Sequence, residues 1–100
     1  MSEILISDFL ESNIEELQVI DVREKYEHES GNIKSINIPM DEILGSIKKI
    51  KKNKKVVIYC QTGRRAAAVV YMLKKQYKLN NIFNLKGGYS EYLNLTSKKS

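Results

Sequence analysis

The sequence predicts a three-layer α/β domain built around a mainly parallel β-sheet. Short apolar runs alternate along the chain with segments of helical composition, which is typical of parallel strands joined by helices. One run, residues 56–59, consists of four consecutive β-forming residues, as in a strand that is buried on both faces. A length of 100 residues is enough to bury one hydrophobic core but too short for a second, so we expect a single domain over residues 1–100.

The first half of the chain is predicted to contain three strands and two helices. Ser7 is a candidate N-cap for a short first helix, and Pro39 ends the third strand. The second helix has an apolar face, because apolar residues recur at helical spacing at Ile43, Leu44, Ile47 and Ile50. The predicted strands cover residues 4–6, 17–22 and 36–38, and the second helix covers residues 41–50.

The second half is predicted to contain two strands and two helices. An alanine-rich helix begins at Arg64 or Arg65, directly after the strand at residues 56–59 and a short loop. The last strand covers residues 82–85, and Gly87 with Gly88 then allows a sharp turn. Ser90 is a candidate N-cap for a short final helix, and a polar tail is expected from about residue 96.

Composition limits the classes of protein to which the chain can belong. No apolar run approaches the ~20 residues that span a bilayer, and the N-terminus does not resemble a secretory signal. The single cysteine, Cys60, cannot form an internal disulfide, and a reactive thiol suits a reducing compartment. We therefore expect a cytoplasmic protein that has no membrane partner.

The net charge of +5 is concentrated in a basic run at residues 48–55. The run has no interleaved aromatic residues, so we do not expect it to bind nucleic acid. It precedes the strand at residues 56–59 and should lie about 13 Å from the loop at the other end of that strand. A solvated surface with weak steering of anions is the expected role.

Cys60 lies between a predicted strand and a predicted helix. This position is beyond the carboxyl end of a parallel strand and at the amino end of a helix, where backbone N–H groups have no intrahelical partners. Those dipoles favour a thiolate, so the position predicts a nucleophilic cysteine. Considered alone, a cysteine is more often a buried structural residue than a catalytic one, so the functional interpretation depends on the residues around Cys60.

Gly63, Arg64 and Arg65 add an anion-binding pattern to this loop. Only three of the 17 basic residues are arginine, and two of these lie in the first helical turn, where positive charge opposes the helix dipole. Guanidinium groups bind anions through several donors, and Gly63 permits a turn whose amides point inward. The alternative is a turn glycine followed by two solvated arginines.

Asp21 lies at the carboxyl end of an earlier predicted strand, residues 17–22, and Arg23 follows that strand. Because the carboxyl ends of parallel strands lie on one side of the sheet, these two residues could support the cysteine loop. A local turn at Asp21 with a surface ion pair at Arg23 remains open. His28, the lone histidine, is not expected to act as a base, because it lies in a charged segment predicted to be an exposed loop and an amide-bound thiolate needs no base.

Four ordered motifs resemble those of the rhodanese family. Cys60-Gln61-Thr62-Gly63-Arg64-Arg65 resembles the active-site loop of these sulfurtransferases. Val19-Ile20-Asp21-Val22-Arg23-Glu24 resembles their Asp-x-Arg motif, Asn37-Ile38-Pro39 the segment after it, and Leu85-Lys86-Gly87-Gly88-Tyr89 their final turn. The usual Gly-His-Ile-x-Gly-Ala segment appears as Gly31-Asn32-Ile33-Lys34-Ser35, which is one residue shorter and lacks the histidine.

The resemblance implies a rhodanese-like domain with a five-stranded sheet and helices on both faces. It also implies a sulfurtransferase in which Cys60 takes a sulfane sulfur from thiosulfate or a persulfide donor and passes it to a small thiol, a protein acceptor or cyanide. Asp21 and Arg23 would give structural support, and no metal or organic cofactor is implied. The implied substrate-binding residues are Gln61, Thr62, Gly63, Arg64 and Arg65, and we expect Arg65 rather than Arg64 in the pocket.

Two alternatives remain within this resemblance. A persulfide-carrying or non-catalytic rhodanese module is one, although a degenerate module would lack the thiol or the arginines that this chain keeps. A cysteine-based phosphatase is the other. Such phosphatases carry Cys-x5-Arg, whereas Arg65 stands at Cys-x4-Arg, and the shorter loop favours a single sulfur atom over a phosphoryl group.

Overall fold

The computed structural model describes residues 2–97, which fold around a five-stranded parallel sheet. The strands are β1 (Glu3–Ile4), β2 (Leu17–Asp21), β3 (Ile36–Asn37), β4 (Lys55–Tyr59) and β5 (Ile82–Leu85). They lie in the order β1-β5-β4-β2-β3, and every pair of neighbours is parallel. The predicted α/β class, with a mainly parallel five-stranded sheet, is confirmed.

Within residues 2–97, four α-helices and two 3₁₀ segments accompany the strands, and the last helix follows the final strand. The helices are α1 (Ile6–Glu11), α2 (Lys25–Ser30), α3 (Arg64–Tyr77) and α4 (Gly88–Thr96). The 3₁₀ segments are Ile14–Glu16 and Met40–Lys49. Among residues 2–97, no helix is long and apolar enough to cross a lipid bilayer.

Alternating side chains of the strands separate the core into two layers, one on each face of the sheet. On one face, Ile20 and Ile58 pack with the helix α3 residues Val69 and Leu73 and with the second 3₁₀ segment. The opposite face packs against α1 and α4, and its buried cluster includes Val19, Val57, Tyr59, Phe9 and Leu85. Successive side chains of β2 and β4 point to opposite faces of the sheet, so each face is covered by its own helices. The sheet and the two helical layers are the three predicted layers.

The segment predicted as a helix over residues 41–50 is a 3₁₀ segment, Met40–Lys49, interrupted at Ser46. Gly45 and Ser46 explain the interruption, because both residues are poor helix formers. The apolar side of the segment is retained: Ile43 is buried, and Leu44 and Ile47 pack against the same core layer.

Both predicted serine N-caps are wrong. Helix α1 begins at Ile6 with Leu5 in the cap position, and α4 begins at Gly88 with Gly87 in the cap position. The polar tail expected from about residue 96 is helical up to Thr96, and residues 98–100 lie outside the described part of the chain.

The segment around His28, predicted to be an exposed loop, is helix α2. Its N-cap is Glu24, whose backbone N–H donates to Glu27 Oε1 at 2.9 Å, while the Glu27 N–H donates to the backbone carbonyl of Glu24 at 3.0 Å. This reciprocal pattern satisfies two backbone donors that a helix start would otherwise leave unpaired. A glutamate at the N-cap is a weak helix-start signal, so the sequence alone favours a loop here.

Candidate active site

Cys60 lies directly after β4, and three residues separate it from the start of α3. Its side chain is buried, and Sγ accepts hydrogen bonds from the backbone N–H of Gly63 at 3.1 Å and of Ala66 at 3.3 Å. Gly63 has φ +100°, a left-handed conformation that glycine adopts without strain. The loop therefore closes over the sulfur atom with two backbone donors, and Ala66 lies one residue beyond the range predicted to bind sulfur.

The start of α4 holds the Cys60 loop from the other side. The backbone N–H of Tyr89 donates to Cys60 O, and that of Ser90 donates to Gln61 O, both at 2.9 Å. Gly88 makes this approach possible, since a Cβ atom there would lie 2.5 Å from Cys60 O. The glycine turn predicted at Gly87 and Gly88 is confirmed, because both residues have positive φ.

Asp21 and Arg23 form a buried ion pair beside this loop. Arg23 Nη2 donates to Asp21 Oδ2 at 2.8 Å, and the backbone N–H of Arg23 donates to Asp21 Oδ1 at 2.9 Å. Burial acts to raise the pKa of Asp21, but the hydrogen bonds from Arg23 outweigh it and lower that pKa. Asp21 is therefore ionised at neutral pH, and its charge is matched by that of Arg23.

Arg23 also reaches the cysteine loop. Its Nη1 donates to Gln61 Oε1 at 3.1 Å, and its Nη2 donates to the carbonyl of Gly31 at 2.7 Å. The guanidinium lies 4.5 Å from the ring centroid of Tyr89, within the range of a cation–π contact. Arg23 thus joins the end of β2, the loop after α2 and the cysteine loop.

His28 faces this ion pair. It lies on α2, with its side chain 20% exposed, and its Nδ1 is 2.9 Å from Asp21 Oδ2. The ring therefore completes the hydrogen bonding of a buried carboxylate.

Tyr59 holds the segment in which the chain departs from the family pattern. Its hydroxyl lies 3.0 Å from Ser35 Oγ and accepts from the N–H of Ile33 at 3.0 Å. Burial of this hydroxyl raises the pKa of Tyr59 to about 12, so the phenol stays protonated. The shortened segment is therefore fixed to β4 by a neutral side chain.

Arg65 pairs with a glutamate of α2. Its Nη1 donates to Glu27 Oε1 at 2.9 Å and its Nη2 to Glu27 Oε2 at 3.0 Å, a bidentate arrangement. The hydrogen bond from Arg65 lowers the pKa of Glu27, and the hydrogen bond to Glu27 raises the pKa of Arg65. Both groups are therefore charged at neutral pH, and the charge of Arg65 is balanced at its own position.

Thr62 and Arg64 are the exposed residues of the loop, whereas Gln61 and Arg65 are partly buried. Gln61 Nε2 donates to Ser90 Oγ at 3.0 Å. Asn84 lies beneath the loop: it is buried on β5 and its Nδ2 is 3.4 Å from Gly63 O. Among residues 2–97, no group of three or more potential metal ligands comes together.

Three contributors to the site have only weak signals in the sequence. Glu27 could have been found from the Glu24-x-x-Glu27 spacing, which matches a capping box apart from the glutamate at its first position. A predicted helix start indicates that the Ala66 N–H lacks an intrahelical partner. Whether that N–H faces the sulfur atom depends on the conformation of the turn between Cys60 and the helix. Ser90, predicted as an N-cap, instead contacts Gln61.

The fold and the site together define a parallel α/β protein that holds a single buried thiol in a loop of backbone donors. A model of the rhodanese-like domain matches residues 7–95, so the chain belongs to the rhodanese family. The resemblance inferred from the four motifs is confirmed.

Known proteins support this membership. The crystal structure of a rhodanese-related protein from Thermoplasma volcanium is 34% identical, with a TM-score of 0.86 over 95% of this chain and 93% of that one. A sulfurtransferase of Allochromatium vinosum is 32% identical over 79 residues, which are 77% of this chain and 72% of the relative. An adenylyltransferase and sulfurtransferase of Vanderwaltozyma polyspora is 27% identical over 103 residues, 92% of this chain but only 24% of the relative.

Proposed function

We propose that this chain is a sulfurtransferase that carries a sulfane sulfur as a persulfide on Cys60. The observation that carries the proposal is the pair of hydrogen bonds from the Gly63 and Ala66 amides to Cys60 Sγ. Fixed backbone donors favour an anionic sulfur and need no rearrangement when the charge forms. The relatives named sulfurtransferases support the same chemistry.

In the first half of the reaction, the Cys60 thiolate attacks the outer sulfur of thiosulfate or of a persulfide. The sulfur–sulfur bond of the donor breaks, and its electron pair leaves with sulfite or with the donor thiolate. Cys60 then carries the transferred sulfur as a persulfide anion. The loop amides that do not bind Sγ, those of Gln61, Thr62, Arg64 and Arg65, are the donors that we assign to the terminal sulfur.

In the second half, an acceptor attacks the terminal sulfur and regenerates the Cys60 thiolate. The acceptor is a small thiol or a protein thiolate, and cyanide replaces it in an assay. Sulfite and thiolates leave as stable anions, so this route needs no side chain to protonate a leaving group. We assign Asp21 and Arg23 the role of positioning the loop through Gln61.

The proposed setting is the reducing cytoplasm, where a lone thiol remains available for transfer. The basic run takes no part in the proposed reaction. The run begins in the second 3₁₀ segment and ends at Lys55, the first residue of β4. Cys60 follows Tyr59, the last residue of β4, so the run and Cys60 lie at opposite ends of this strand. The Lys51 and Lys54 carbonyls of this run accept hydrogen bonds from Asn81.

The decisive experiment compares the natural protein with Cys60→Ser. With thiosulfate and cyanide as substrates, the natural protein should form thiocyanate and the variant should form none. Incubation with thiosulfate alone should add the mass of one sulfur atom to the natural protein, as measured by mass spectrometry of the intact chain. Parallel assays with p-nitrophenyl phosphate test the phosphatase alternative: hydrolysis that depends on Cys60, without thiocyanate formation, would overturn the proposal.

A further inference from the structure

We propose that Glu27 selects the charge of the sulfur donor. By holding Arg65 in an ion pair, its carboxylate disfavours donors with two negative charges relative to donors with one, such as the persulfide of a thiol. This inference rests on the proposed sulfurtransferase function, because it concerns the donor that reaches Cys60. It makes Glu27 a specificity-determining residue.

The Arg65–Glu27 pair leaves little positive charge for a donor. Both oxygens of Glu27 accept from Arg65, and the side chains of Glu27 and Arg65 are 20% and 36% exposed, respectively. A donor anion that approaches Arg65 therefore also meets the Glu27 carboxylate. Because the Glu27 oxygens lie only 2.9 and 3.0 Å from the Arg65 nitrogens, repulsion from Glu27 opposes the attraction of Arg65 for an anion. The pair therefore contributes less to binding a second negative charge than an unpaired arginine would.

The other two arginines show how much charge remains. Arg23 is 2% exposed and is paired with Asp21, so its charge is also balanced. Arg64 is exposed and has no carboxylate within ion-pair distance among residues 2–97. The loop thus offers one unbalanced guanidinium together with backbone N–H dipoles. One guanidinium with these backbone N–H groups suits a sulfur donor that carries a single negative charge better than one that carries two.

The two classes of sulfur donor differ in their negative charge. Thiosulfate brings two negative charges, whereas the persulfide group of a thiol brings one. In each case the Cys60 thiolate forms a bond to the outer sulfur, the sulfur–sulfur bond of the donor breaks, and its electron pair leaves with sulfite or with a thiolate. The chemical step is therefore the same, and the charge of the donor is what Glu27 distinguishes.

The structure supplies a clean variant and a matched control. Glu27 Oε1 also accepts from the Glu24 N–H at 2.9 Å, and glutamine can make the same capping contact, so Glu27→Gln removes the charge and retains the cap. Glu29→Gln removes an equal charge from the same helix. The Glu29 side chain is 64% exposed and faces Lys25 at 4.0 Å.

The test compares thiosulfate with methanethiosulfonate, a monoanion that transfers its outer sulfur in the same way and releases methanesulfinate. With cyanide as the acceptor, kcat/KM is measured for both donors. Glu27→Gln should raise the ratio of thiosulfate to methanethiosulfonate about tenfold, the size expected for one screened charge near the surface. Glu29→Gln should leave the ratio unchanged, and thermal melting checks that both variants fold.

A second measurement separates this inference from the proposed function. Sulfate and methanesulfonate, which differ by one charge and donate no sulfur, are tested for protection of Cys60 against iodoacetamide. Glu27→Gln should strengthen protection by sulfate relative to methanesulfonate. If transfer occurs but neither ratio shifts, the role of Glu27 is overturned while the function stands. If no donor supports transfer, the function falls, and the protection ratio alone supports or overturns charge selection by Glu27.

Discussion

Arg23 and Gln61 lie 38 residues apart in the chain and are joined by a 3.1 Å hydrogen bond from Nη1 to Oε1. On its other side, Gln61 donates to Ser90 at the start of α4. One loop side chain therefore links the buried Asp21–Arg23 pair to a second helix. The position of the residue next to Cys60 is set from both directions.

Replacing Gln61 with alanine should slow sulfur transfer more than it weakens the fold. Both side-chain links of the loop are lost, so we expect kcat to fall about tenfold, corresponding to about 1.4 kcal/mol. The free energy of unfolding should fall by only about 1 kcal/mol, because the lost contacts are partly exposed. Ser90→Ala removes one link and is the control. Equal kcat losses in the two variants would argue against the role of Arg23 in positioning Gln61.

Asp21→Asn should destabilise the protein by about 3–5 kcal/mol at neutral pH, because Arg23 would remain buried without its counter-charge. The effect should depend on pH. Since the folded-state pKa of Asp21 is below its ordinary value of 3.8, its contribution is complete above that value and is lost as pH falls through the lower folded-state pKa. Urea unfolding should therefore show a difference between natural protein and variant that shrinks below about pH 4. A difference that is constant down to pH 2 would contradict this account.

Gly88→Ala should disrupt the active loop through backbone contact. The new Cβ would lie 2.5 Å from Cys60 O and 2.8 Å from the Gln61 carbonyl carbon, and φ at this position is +64°. We expect a loss of at least ~2 kcal/mol in unfolding free energy together with loss of transfer. Gly45→Ala is the matched control, because a Cβ atom at Gly45 would meet nothing within 4 Å and φ is not positive there. The prediction fails if the two variants melt at the same temperature.

The two loop arginines should differ in their effects on thiosulfate binding. Arg64→Ala removes an exposed charge and should raise KM several-fold with little change in melting temperature. Arg65→Ala leaves the Glu27 carboxylate without its partner and should raise KM further. Combining Arg65→Ala with Glu27→Gln should restore KM towards that of the natural protein. If the double variant binds thiosulfate no better than Arg65→Ala, then Glu27 does not act through its charge.

The sequence by itself was sufficient to predict the layered parallel sheet and the place of Cys60 within it. Burial of β2 and β4 is encoded in their own residues, as is the helical composition that follows Gly63. These are local patterns, because side-chain direction repeats every two residues in a strand and every 3.6 in a helix. A cysteine between such a strand and such a helix must lie at the carboxyl edge of the sheet.

Tertiary structure decided the contacts that shape the site. The pairing of Arg65 with Glu27 and the approach of Gly88 to Cys60 O join segments whose relative placement is set by packing. The choice of Ala66 as a donor to sulfur is set by the conformation of the turn between β4 and α3. Long charged side chains have many rotamers, and only the docking of α2 against the start of α3 brings Glu27 within reach of Arg65. The sequence shows two arginines close to the only cysteine. Only the folded chain shows that the charge of Arg65 is balanced by Glu27.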